Sequence, residues 1–339
     1  MKRLLTIPLS GLYAFGVGLR HLLYDEHILP STTVSVPTIC VGNIAVGGTG
    51  KTPHVEYLIR LLSPHYKVAV LSRGYKRKTK GFVMADQSAT AQSIGDEAMQ
   101  LYLKYPEVCV AVSENRVKGI RQIQSLRPDV EVVILDDAFQ HRALKCGFNI
   151  VLTRYDRLYP NDHMLPWGTL RDFKQRILKA NAVVVTHCPE EMQPIEKRVV
   201  ENHLHLPPYI RLYFSKFRYG TVYRTGRPLV VAGIANPQYL MDFVNAHYQG
   251  AGFITYADHH AFTPEDLREI ESRAKDYDFV LTTEKDFVRL QQTELYNRLA
   301  ERIEAIAVNM EMDEERAEFD KQVLNYVREN TLLCRSHNS

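Results

Sequence analysis

Eight consecutive residues, Ala45-Val46-Gly47-Gly48-Thr49-Gly50-Lys51-Thr52, carry the strongest chemical signal in this chain. They follow an apolar run, Val34 to Val41, and precede a helical pattern, Pro53 to Leu62. Between a strand and a helix, small residues let backbone N–H groups wrap a chain of phosphates, and the helix N-terminus adds its positive dipole end. In a loop of this kind Lys51 reaches the β- and γ-phosphates and Thr52 offers its hydroxyl to Mg²⁺. The segment therefore reads as a phosphate-binding loop for a nucleoside triphosphate. The strict pattern opens with Gly, and the small residue Ala45 stands in that place.

The second signal is Val132-Val133-Ile134-Leu135-Asp136-Asp137, an apolar strand that ends in two acids. Adjacent carboxylates repel unless a cation is near. Behind a phosphate loop, a strand of this type sets an Asp beside Mg²⁺. Asp136 fits that role directly or through a water, and Asp137 completes the metal shell or meets the substrate. Ala138-Phe139-Gln140-His141-Arg142 keeps polar groups near the same place. Gly95-Asp96-Glu97 opens a helix, where Asp96 is either an N-cap or the group that deprotonates an acceptor hydroxyl. Asp258-His259-His260 offers a histidine to tune a carboxylate base, or is simply a polar surface loop. Neighbouring histidines do not easily share one metal, and no third ligand cluster accompanies them. Arg73, Arg116 and Arg171 stand after strands or at helix entries, where bidentate phosphate contacts are made. The run Lys76 to Lys80 reads as a solvated face. Thr282-Thr283-Glu284-Lys285-Asp286 closes another strand but lacks the Asn-Lys-x-Asp order of a GTPase base reader.

Positioning these residues takes an alternation of apolar strands and helices. Candidate strands are 34–41, 67–72, 108–112, 130–135, 148–152 and 182–186, with helical patterns such as 96–105 and 114–126 between them. That order implies an α/β fold, a P-loop NTPase-like parallel sheet covered by helices on both faces. Ligands of such sheets sit at the carboxyl ends of the strands, where every motif above falls. Residues 209–226 read as a β-hairpin around Arg218-Tyr219-Gly220 that links to a second, smaller α/β lobe. The expected division is an N-terminal segment 1–30, a core 31–208, the linker 209–226, a C-terminal lobe 227–332 and a tail 333–339.

Met1 to Tyr24 carries Lys2, Arg3 and Arg20 around an apolar stretch, with no acid. The stretch is short for a membrane span, and basic flanks suit a helix lying on an anionic lipid surface. Packing of the same helix into the core is the alternative. At 339 residues the chain allows two domains or one large domain with an attachment. A net charge of +3 gives no case for nucleic acid, and five scattered cysteines form no zinc or disulfide framework.

The ordered set of motifs resembles one family, the tetraacyldisaccharide 4′-kinases, lipid A 4′-kinases of Gram-negative bacteria. The resemblance runs from Val41-Gly42-Asn43 and the Gly-rich loop through Leu71-Ser72-Arg73-Gly74-Tyr75, Gly95-Asp96-Glu97 and Asp136-Asp137-Ala138-Phe139-Gln140-His141. It continues through Leu170-Arg171-Asp172, Ala232-Gly233-Ile234-Ala235-Asn236-Pro237, Asp258-His259-His260 and Thr283-Glu284-Lys285-Asp286. The chain departs at Ala138, where the family usually has Gly, and at Asp172, where it has Glu. The first changes which backbone angles are tolerated; the second shortens a carboxylate arm. The resemblance implies a kinase peripheral to the cytoplasmic face of the inner membrane. It would use ATP and Mg²⁺ to phosphorylate the 4′-hydroxyl of an acylated glucosamine disaccharide 1-phosphate, giving the 1,4′-bisphosphate, with no obligate protein partner. Asp96 would be the base and His259 its partner, His260 being able to exchange roles. Lys51 would act on the transferring phosphate, and Thr52, Asp136 and Asp137 on the metal. Arg73, Glu97, Arg116, Gln140, His141, Arg171 and Asp172 would contact the acceptor.

A soluble small-molecule kinase would leave the N-terminal segment unexplained. A partitioning-type ATPase carries a second lysine early in its loop, where Val46 stands, and a non-catalytic scaffold has no use for Lys51, Asp96 and two strand-end acids together.

Overall fold

The apolar run ahead of the Gly-rich loop forms β1 (Thr38–Asn43), buried along its whole length. It begins after Pro37, whose ring nitrogen cannot donate to a ladder. Ile39 and Val41 point into one core and Cys40 into the other, so both faces of the strand need cover. The protein is described by a computed structural model that covers residues 2–234, 237–258 and 260–336, with side chains between residues 6 and 332.

Seven further strands follow: β2 (Val68–Ser72), β3 (Val83–Met84), β4 (Cys109–Val112), β5 (Val132–Asp136), β6 (Phe148–Arg154), β7 (Ala182–Thr186) and β8 (Arg211–Tyr219). A second sheet is built from β9 (Pro228–Ala232), β10 (Gly252–Thr255), β11 (Phe279–Thr283) and β12 (Ile303–Ile306), in the order β10-β9-β11-β12 and parallel throughout. The chain then returns through β13 (Val308–Met312) to the first sheet, whose order is β13-β8-β7-β6-β1-β5-β2-β4-β3. That sheet is mixed: parallel from β8 to β4, with antiparallel strands at both edges. β1 lies between β5 and β6, so the carboxyl ends of strands from both directions of winding meet beside it.

The hairpin expected over 209–226 is corrected. Residues 211–219 form one continuous strand, parallel to β7 and antiparallel to β13, with Tyr219 opposite Val308 and Ser215 opposite Met312. Gly220 does not take the positive φ of a tight hairpin turn. An alternating pattern cannot say which strand pairs with it, and the partner here arrives only after the second sheet is complete. The two sheets are therefore linked by β8 leading out and β13 leading back.

The boundary expected at 227–332 moves for the same reason. The C-terminal helix, Arg316–Ser336, buries Phe319, Val323 and Val327 in the first sheet's core, against the cluster that holds Leu58 and Leu62. Each such side chain stabilises that attachment by about 1.5–3 kcal/mol. The small α/β unit is thus an insertion of roughly residues 220–307 into the large one.

The N-terminal helix, Lys2–Asp25, is attached by polar contacts rather than by core packing. Ser10 donates to the carbonyl of Met164 at 2.6 Å, Tyr13 to that of Arg171 at 3.1 Å and Arg20 to that of Gln140 at 2.8 Å. Leu12, Phe15, Leu19 and Leu22 recur at three- and four-residue spacing and are exposed, Leu12 and Phe15 at 69% each. Among the described residues no helix is long and apolar enough to cross a membrane.

Candidate active site

The Gly-rich segment leaves the carboxyl end of β1 and enters the helix Lys51–Leu62. Gly50 precedes that helix at φ 82° with no side chain to cap it, so the first-turn N–H groups stay unclaimed by a cap. An added Cβ at Gly50 would run into the ring of Phe217. The loop is held from outside. Val46 N–H donates to Thr169 O at 2.8 Å, Arg171 N–H to Ile44 O at 2.8 Å, and the Arg154 guanidinium to Gly48 O at 3.2 Å. Asn43, fully buried at the end of β1, donates its amide to the Thr49 hydroxyl at 2.7 Å.

β5 is in register with β1, Asp136 opposite Val41, so the two acids emerge beside the loop. They have different environments. Asp137 takes φ 51° and receives Lys51 at 3.7 Å and the guanidinium of Arg171. Burial pushes its carboxyl up, and Lys51 and Arg171 more than offset that and leave it below the usual range. Asp136 is buried with Oδ1 unpartnered, and burial, then the charges of Glu97 and Asp137, push its carboxyl up to about 7. Lys51 and Arg116 pull the other way but do not offset burial and the neighbouring acids. The left-handed angle falls on Asp137 rather than on Ala138, so a side chain at position 138 causes no strain. The close approach lies at Gly42, where a Cβ would meet that of Phe139 at 2.6 Å.

Lys51, Arg73, Arg116, Asp136, Asp137, Gln140, His141, Arg171 and Asp172 line one cavity of about 880 Å³ with the Gly-rich loop. The N-terminal helix roofs it with Tyr13, Val17 and Arg20, a contribution the sequence did not reveal. Several of these residues have work within the fold. Arg116 is buried and donates to Ser113 O and to the carbonyls of Asp136 and Asp137, bracing the end of β5. Gln140 donates to Asn43 O at 2.7 Å. Asp172 accepts from His21 Nε2 of the N-terminal helix at 2.6 Å and caps Phe173 N–H at 2.9 Å. His141 is held neutral, pushed down to about 4 by burial and then by Arg116, and its Nε2 is buried without a partner.

Asp96 and Glu97 begin the helix Asp96–Lys104, and they point differently. Glu97 lines the large cavity; Asp96 does not, and its carboxylate accepts from Arg289 Nε at 2.8 Å and Nη2 at 2.7 Å. Arg289 belongs to the helix Glu284–Leu290 of the small unit. Lys285 of the same helix meets Glu97 at 3.4 Å and Asp258 at 3.2 Å, and Lys104 meets Glu284 at 2.8 Å. These two helices make the seam between the units. His259 lies outside the described residues. His260 is engaged locally, bonded to Asp266 at 2.7 Å and stacked on Tyr256. Beside the loop, a second cavity of about 520 Å³ opens between the units, lined by His187, Phe217, Tyr219, Tyr239 and Ile306. Burial, then Arg154, pushes His187 down to about 4.

Arg289 was not singled out by sequence, and Lys285 was read only within the Thr283-Glu284-Lys285-Asp286 motif, since their partners are far away in the chain. Asn43 had a readable signal, an amide ending an otherwise apolar strand.

Residues 1–328 match the model of the family described as LpxK, tetraacyldisaccharide-1-P 4′-kinase. The chain is similar to a tetraacyldisaccharide 4′-kinase of Bacteroides fragilis, 43% identical across 96% of this chain and 93% of that one. A tetraacyldisaccharide 4′-kinase of Flavobacterium johnsoniae is 40% identical, across 97% and 98%. The fold is similar to the crystal structure of LpxK from Aquifex aeolicus in complex with ATP, with a TM-score of 0.74 and 28% identity over 96% of this chain and 100% of that one.

Proposed function

The chain belongs to the tetraacyldisaccharide-1-P 4′-kinase family, and from that premise we propose a division of labour among its residues. It is an ATP-dependent phosphotransferase that phosphorylates the 4′-position of a tetraacyldisaccharide 1-phosphate, a step of lipid A synthesis. The observation that carries the assignment of the site is one juxtaposition. Lys51 and the Gly-rich loop share a cavity with Asp136, a buried carboxylate whose Oδ1 has no partner.

The loop binds the phosphates of ATP, with Lys51 against the transferring group. The apolar cavity between the units, lined by Phe217, Tyr219 and Tyr239, takes the nucleoside. Thr52 and Asp136 hold Mg²⁺. The unpartnered, up-shifted Asp136 carboxylate suits a cation. Mg²⁺ is an ion that keeps waters and phosphate oxygens in its shell, so few protein ligands suffice. When bound, the ion neutralises charge on the phosphates. Asp137, committed to Lys51 and Arg171, keeps those cations turned toward the cavity.

The acceptor enters from the side of the N-terminal helix. Its sugar head lies in the large cavity beside Arg73, His141 and Arg20, and its acyl chains lie along the apolar stripe of that helix. The stripe and the basic N-terminus seat the protein on the cytoplasmic face of the inner membrane. Asp96 takes the proton of the 4′-hydroxyl as its oxygen attacks the γ-phosphorus and ADP leaves, and His259 partners it. Incubation of the purified protein with Mg²⁺-ATP and acylated disaccharide 1-phosphate tests the reading by mass spectrometry. A bisphosphorylated product from the wild type, absent with Lys51→Ala, is the expected result; product from both removes the site assignment.

A further inference from the structure

We propose that Arg289 is a positioning residue for phosphoryl transfer, holding Asp96 from the small unit. The inference rests on Asp96 being the base. Two guanidinium nitrogens of Arg289 converge on one oxygen, Asp96 Oδ2, at 2.8 and 2.7 Å. The third, Nη1, donates to Asp286 Oδ1 at 2.7 Å. Asp286 is fully buried, and its other oxygen accepts from Gly233 N–H and from the Thr283 hydroxyl, each at 2.8 Å. The guanidinium is therefore anchored at its far end to the carboxyl ends of β9 and β11 and cannot swing freely.

Its side chain is only 8% exposed, unlike an ordinary surface ion pair, and that of Asp96 only 17%. Asp96 sits at the first position of its helix, behind Gly95, which takes φ 89° and gives no side-chain cap. Oδ2 of Asp96 is thus held by a residue of the small unit. A general base works only when its lone pair is aimed at the proton it removes, and a misplacement of about 1 Å costs on the order of 10²-fold. Holding Oδ2 by two nitrogens fixes that aim. Lysine cannot substitute, because a single ammonium cannot span Asp96 and Asp286 in the fork geometry of a guanidinium. The base is thereby tied to the docking of the two units: when the seam opens, Asp96 loses its orientation.

The test compares Arg289→Ala, Arg289→Lys and Asp96→Asn in the full chain, assayed with Mg²⁺-ATP and acylated disaccharide 1-phosphate. Arg289→Ala should lower kcat roughly 10- to 100-fold while KM for ATP stays within about threefold. Millimolar guanidinium should restore part of the loss, which no general loosening of the seam would allow. Arg289→Lys should fall between, and adding Arg289→Ala to Asp96→Asn should cost little more. Wild-type kcat in Arg289→Ala, or a loss that guanidinium does not relieve and that multiplies with Asp96→Asn, overturns the inference. Should Arg289→Ala not fold, a wild-type kcat in Arg289→Lys overturns it. Wild-type turnover by Asp96→Asn instead removes the base assignment itself, a separate failure.

Discussion

Arg116 reaches Asp136 through its backbone and not through its carboxylate: the guanidinium donates to the carbonyl oxygens of Asp136 and Asp137 at 3.2 and 3.3 Å. The end of β5 is braced, and the acid it presents keeps Oδ1 buried without a partner. Glu97, Asp137, Lys51 and Arg116 are the charged groups that act on it.

That arrangement sets a pH dependence. The folded-state carboxyl of Asp136 is raised from 3.8 to about 7. Stability from burying it neutral is present below its unfolded pKa and lost as pH rises from about 4 through 7. Without ligand, Asp136→Asn should flatten this part of the Tm–pH curve and raise Tm at pH 8. Mg²⁺-ATP should stabilise the wild type most at pH 8 and Asp136→Asn much less. Thermal melts from pH 5 to 8 decide it; an unchanged slope in the variant would mean that Asp136 is not the titrating group.

Lys51→Ala and Thr52→Ala act on the donor. Loss of the cation at the transferring phosphate, or of the hydroxyl beside the metal, should each lower kcat on the order of 10²-fold. Steady-state rates of folded variants check this, and wild-type turnover in either would remove the phosphate-loop reading.

His21→Ala should release the N-terminal helix without unfolding the rest. His21 sits between Asp172 at 2.6 Å and Arg142 at 3.0 Å. A hydrogen bond to a charged group contributes about 1.5–3 kcal/mol. Amide exchange over residues 6–25 should accelerate roughly 10- to 100-fold while β1 and β5 stay protected. Equal acceleration everywhere would show instead that the helix supports the whole fold.

Leu12, Phe15 and Leu19 are exposed on one stripe of that helix. Inserting each into lipid contributes about 1.5–3 kcal/mol, so replacing all three by Ser should weaken binding to anionic vesicles by at least about 10²-fold. Kinase activity on detergent-dispersed acceptor should fall far less. Unchanged co-sedimentation would place the anchor elsewhere.

The sequence alone determined the parts of this protein whose physics is local. A Gly-rich stretch between a strand and a helix needs no distant partner to be recognised, and neither do two acids ending a Val–Ile run nor apolar strands long enough to be covered on both faces. The N-terminal helix was legible for the same reason. What only the tertiary structure decided concerns partners far apart in the chain. The pattern of 211–219 identified a strand but could not reveal that β13 pairs with it, or that the helix from Arg316 returns to the first core. The pair Asp136-Asp137 was plain, but which acid is ion-paired and which keeps an oxygen without a hydrogen-bond partner depended on where Lys51 and Arg171 reach. Asp172 read as a site residue because its motif is local, whereas its bond to His21 joins segments 151 residues apart. Arg289 gave no signal at all, since its meaning lies in Asp96, 193 residues away. Periodicity and spacing record what a residue does within its own turn or strand; which charge meets which across two folded units is settled only when both have packed.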